Sequence, residues 1–152
     1  MDIKKQYKKI ENKFKLPNFD KFDKEFEIST LDTDDFLLRN VRRRMNNKLT
    51  FFTQIFDTIL FPNPNSLISM HESKSCSEEE KIEIMKFYNK LMILEREALS
   101  FDIEPDDKKE AEFINKLWKQ WTEIKKETNK LVEKMKESWK DEDKKIKNHY
   151  FG

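Results

Sequence analysis

The chain has 152 residues, a length that suits one domain; 40% of them are charged and 36% hydrophobic. Its only glycine is Gly152, which excludes a Walker loop, a dinucleotide fingerprint and a G-x-S-x-G elbow, because each needs backbone that carries no Cβ. Basic and acidic side chains number 31 and 30, for a net charge of +1, so no global field steers the chain to nucleic acid.

Residues 1–15 read as an N-terminal amphipathic helix. Ile3, Tyr7, Ile10 and Phe14 recur on one face, Asp2 is placed to cap it, and Leu16-Pro17 ends it, since the residue before proline avoids the α region. Its lysines suit a membrane surface or a partner groove, but an apolar face of four residues is better explained by docking onto its own bundle. Residues 16–32 form an aromatic connector. Within it Asn18 can cap a short helix carrying Phe19, Phe22 and Phe26, while 26–29 alternate and can run extended.

A long helix is expected over 33–61, with Asp34 and Asp35 at the positive end of its dipole. Its stripe is Leu38, Val41, Met45, Leu49, Phe52, Phe56 and Ile59. Phe61-Pro62-Asn63-Pro64 stops it, and 65–76 connect, with a turn or two of helix around Leu67 and Met70. A second long helix covers 77–101. It opens on Ser77-Glu78-Glu79-Glu80, the spacing of a capping box.

The last helix, 106–140, is the longest. Ile114, Leu117, Trp121, Ile124, Thr128, Leu131, Met135 and Ser138 follow a 3-4 spacing. That heptad-like seam implies the crossing angle of bundles and coiled coils, about 20°. Residues 141–152 are expected to be a frayed tail. The whole is therefore an all-α helical bundle, a single domain over 1–152: three long helices plus a shorter N-terminal one, with mostly antiparallel neighbours because the loops are short. Missing internal glycine also disfavours the tight hairpin turns of sheet proteins.

Few residues invite chemistry. His71 and His149 are the only histidines and Cys76 the only cysteine. Zinc-ligand spacings and an internal disulfide therefore cannot be written. We expect no metal, no cofactor and no catalysis. Cys76 is an inert thiol on this reading, and Asp34-Asp35 and Asp106-Asp107 are helix-start charges. The charged N-terminus and lone cysteine point to a cytoplasmic protein, and no segment is apolar enough to span a membrane.

The most unusual local feature is Arg39, Arg42, Arg43 and Arg44, four of five arginines in a lysine-rich chain, followed by Lys48. A guanidinium fork suits phosphate, so these five residues are candidate contacts for an anion or an RNA backbone. The competing reading, which we prefer, is a set of interhelical ion pairs with acids such as Glu95 or Glu97. Trp118 and Trp139 flank the seam and are candidate protein-interface residues. The function expected is that of a non-catalytic structural or protein-interaction protein, as an accessory subunit or a homodimer joined through the last helix; RNA or phosphate binding is the alternative. Small-ligand binding between aromatic-rich helices ranks below both, because the sequence shows no convergent polar motif.

Overall fold

The computed structural model describes residues 2–151; Met1 and Gly152 lie outside them. All regular structure among the described residues is helical, as an all-α bundle requires. The elements are α1 (Ile3–Phe14), α2 (Phe19–Phe26), a 3₁₀ turn (Ile28–Thr30), α3 (Leu37–Leu60), α4 (Leu67–Ser73), α5 (Glu78–Ile103) and α6 (Asp107–Phe151). The chain divides into two compact units, one of Met1–Phe51 with Met92–Thr122, the other of Phe52–Leu91 with Glu123–Gly152. The boundaries of these units fall within α3, α5 and α6.

The first unit is built on rings. α1 is capped by Asp2, whose carboxylate accepts the Lys5 N–H at 3.0 Å. Tyr7 on its buried face meets Phe19 and Phe22 at ring separations of 5.4 and 5.9 Å. Burial of Tyr7 pushes its phenol pKa up, and its hydroxyl donates to the Pro17 carbonyl at 2.9 Å. The aromatic connector becomes α2, capped by Asn18, and lays Phe22 and Phe26 against Trp118 and Trp121. Residues 28–30 form the 3₁₀ turn rather than an extended segment.

α3 begins at Leu37 rather than at 33. The Thr33 hydroxyl accepts the Asp35 N–H at 3.1 Å, a local turn that competes with helix. Phe36 then takes φ 49°, which no continuing helix can pass through. Asp34 and Asp35 therefore lie ahead of the first turn.

In the second unit, Phe56 on α3 stacks on Phe87 of α5 at 5.8 Å. The Tyr88 hydroxyl donates to Asp57 at 2.6 Å. The Ser73 hydroxyl ties α4 to the Ile59 carbonyl at 2.7 Å. The capping box forms as the spacing predicts: the Ser77 N–H donates to Glu80 and the Glu80 N–H to the Ser77 hydroxyl, each at 3.1 Å.

Residues 141–151 are helical rather than frayed, as the end of α6. Lys–carboxylate pairs one turn apart run along this stretch, among them Lys145–Glu142 at 3.8 Å and Lys147–Asp143 at 3.1 Å. Each such pair adds a few tenths of a kcal/mol to a solvated helix, about 0.2–0.5. Along the seam of α6, Ile114, Leu117, Trp121, Ile124, Thr128 and Leu131 are buried, while Met135 and Ser138 are half-buried.

Candidate functional site

Of the clustered arginines, Arg42 faces inward. Arg42 is fully buried in the first unit. Its Nε donates to Glu110 at 2.8 Å, its Nη1 to the Ala98 carbonyl at 2.9 Å, and its Nη2 to Asp102 at 2.6 Å. Desolvation works against the charge, but the hydrogen bonds that the guanidinium donates to Asp102 and Glu110 outweigh it and raise the Arg42 pKa. The same guanidinium, with Arg43 donating to Asp102 at 2.9 Å, holds the Asp102 carboxyl below its usual range. Asp102 and Glu110 are acids that Arg42 and Arg43 meet. Glu97 pairs with Lys116 instead, at 2.7 Å, and Glu95 is buried.

Lys48 donates to the Glu25 carbonyl and lies over the rings of Phe26 and Trp121. Arg39 sits over Phe36 at 5.0 Å, with its Nε buried and without a hydrogen bond. Arg44 is half-buried. Of the five candidate anion contacts, Arg42, Arg43 and Lys48 therefore bind groups of the same unit. A recess of about 270 Å³ beside Arg39 also carries Lys9 and Lys13, but Asp34 and Asp107 line it too.

The two tryptophans part company. Trp118 packs on Phe22 and Phe26 at 5.3 and 6.2 Å, which makes it part of the ring cluster of the first unit. Trp139 is surface-exposed; its ring lies tilted against His71 at 4.2 Å, and its indole N–H donates to Glu72 at 3.3 Å. The His71 ring nitrogen Nε2 meets the Ser138 carbonyl at 3.2 Å. Cys76 is buried, and burial pushes its thiol pKa up, away from the reactive thiolate. Among the described residues no three His, Cys, Asp or Glu side chains converge as metal ligands would, and no helix is long and apolar enough to cross a membrane.

A groove of about 690 Å³ lies in the second unit, along α5 and α6. Phe56, Ile84, Phe87 and Leu131 form its apolar lining. Lys86 and Lys90 project from α5, and Lys130 and Lys134 from α6, each pair one helical turn apart. The volume falls within the range of small-molecule sites, about 300–1,000 Å³. Phe56 and Leu131 belong to the core stripes read from the sequence, and Phe87 does not. The available signal was α5 itself, whose apolar residues do not keep to one face: Leu91, Leu94 and Ala98 are buried while Ile82 and Ile93 are exposed. No family model, curated protein or solved structure matches the chain.

Proposed function

We propose that the chain is a non-catalytic helical binding protein and that the groove of the second unit is its binding site. The observation that carries this reading is the groove's make-up: an apolar floor of Phe56, Ile84, Phe87 and Leu131 beneath a charged rim. Such a floor favours a guest with an apolar side, at roughly 25 cal/mol for each Å² removed from water. The non-catalytic part is supported by the state of the best nucleophile and base: Cys76 is buried with a raised pKa, and His71 is packed against Trp139 and the Ser138 carbonyl. Phosphate or RNA contact through the arginine cluster is the weaker reading. The buried Arg42 would have to leave Glu110 and Asp102 before it could meet a phosphate.

The test is an uncharged, environment-sensitive naphthylamine dye. Its fluorescence should rise on mixing with the protein and fail to rise with Phe87→Asp or Ile84→Asp, both half-buried sites, while the helical circular dichroism is retained. A signal unchanged by both substitutions would place the apolar site elsewhere.

A further inference from the structure

We propose that the groove binds an aliphatic monocarboxylate of about twelve carbons, its carboxylate on Lys90 and its hydrocarbon along Phe87 and Ile84. This rests on the groove being the binding site and goes further by naming the guest. The reasoning starts from the rim charges. Lys86 is paired with Glu83 and Lys130 with Glu127, both at 2.8 Å, and Lys134 with Glu80. Of the groove's four lysines, Lys90 alone has no carboxylate partner among the described residues. The rim is therefore neutral but for one ammonium, and complementarity calls for a guest with one negative charge. A doubly charged head would leave a charge unanswered beside Glu83 and Glu127.

The length of the guest follows from where the groove ends. The Glu80–Lys134 ion pair joins α5 to α6 at one end. Lys90 stands ten residues along α5 from Glu80, about 15 Å at the rise of an α-helix. An extended hydrocarbon with bonds of about 1.5 Å advances roughly 1.25 Å per carbon, which gives about twelve carbons between the two. A shorter chain leaves apolar floor wet. A longer one runs into the Glu80–Lys134 pair, whose charges gain nothing from a methylene.

Titration calorimetry with dodecanoate, dodecanol and dodecylammonium, each below its micellar concentration, tests this. Dodecanoate should bind about fivefold more tightly than dodecanol, the upper range for an exposed charge pair, and dodecylammonium more weakly than either. Lys90→Gln should equalise acid and alcohol, and Lys86→Gln should not. Shortening the acid should weaken binding two- to fourfold per carbon, up to the value for a fully buried methylene, and lengthening it beyond twelve should add nothing. Equal affinity for acid and alcohol in the native chain, or a preference that survives Lys90→Gln, would overturn the carboxylate assignment while leaving the groove as an apolar site. Failure of all three probes to bind would overturn both. Lys90-dependent co-flotation with anionic phospholipid vesicles, without binding of free dodecanoate, would make the guest a membrane lipid and also reject the proposal.

Discussion

Arg42 shows how a side chain that looks like a ligand contact can be structural. It is fully buried, as is Glu110, its partner at 2.8 Å. Removing one member of a buried ion pair strands the other, at about 3–5 kcal/mol. Arg42→Ala should therefore lower the unfolding free energy by that amount in urea denaturation. Arg43→Ala should cost about 0–1 kcal/mol, because the Arg43 side chain is half exposed and its bridge to Asp102 is screened by water. Asp102 gives a pH dependence. Its carboxyl is held below the usual range chiefly by the Arg42 hydrogen bond. A native pKa below the unfolded one means stabilisation that is complete above about pH 4, the ordinary aspartate value, and is lost as pH falls through the lower native value. Melting temperatures taken from pH 7 to 2 should fall less steeply in that acid window for Asp102→Asn than for the native chain.

At the scale of the helix, ends were legible where a side chain closes them and illegible where backbone conformation does. Asp2, Asn18 and the Ser77–Glu80 box announce α1, α2 and α5 through residue type and spacing, and each makes the bond that the spacing predicts. Ser77→Ala should accordingly cost about 1 kcal/mol, measured by chemical denaturation. The start of α3 was illegible because it turns on the positive φ of Phe36, a conformation for which a bulky residue gives no signal. Lys15 and Glu27 are in the same left-handed region, at the C-caps of α1 and α2, where glycine is the usual occupant. In a chain without internal glycine these ends carry a Cβ penalty. Lys15→Gly, at an exposed site, should raise stability by roughly 0.5–1 kcal/mol, net of the added freedom of the unfolded chain. The end of α6 was misjudged for another reason: residues 141–151 lack an apolar stripe, and their helix rests on ion pairs one turn apart, which apolar periodicity does not register.

At the scale of the molecule, periodicity revealed what is buried, and the arrangement of what remains open had to come from three dimensions. The stripes of α3 and α6 name Phe56 and Leu131 as apolar, but nothing in their spacing says that Phe87 and Ile84 join them to line a groove. The seam of α6 illustrates the same limit. Its 3-4 spacing suits a coiled-coil partner and intramolecular packing equally. The structure buries Ile114, Leu117, Trp121, Ile124 and Leu131 within one chain, and a seam substitution has a different outcome on each reading. In a dimer held by the seam, Ile124→Asp would halve the sedimenting mass and leave the protomer helical. In a chain that buries its own seam, the aspartate would be an unpaired charge at a site 1% exposed, a large cost for a single substitution, above about 4 kcal/mol. The native chain should then sediment at 18.6 kDa, and Ile124→Asp should lose much of its melting temperature with no change in mass. A native mass near twice that value, reduced to the monomer by Ile124→Asp with the helical signal intact, would show that the seam serves a second copy after all.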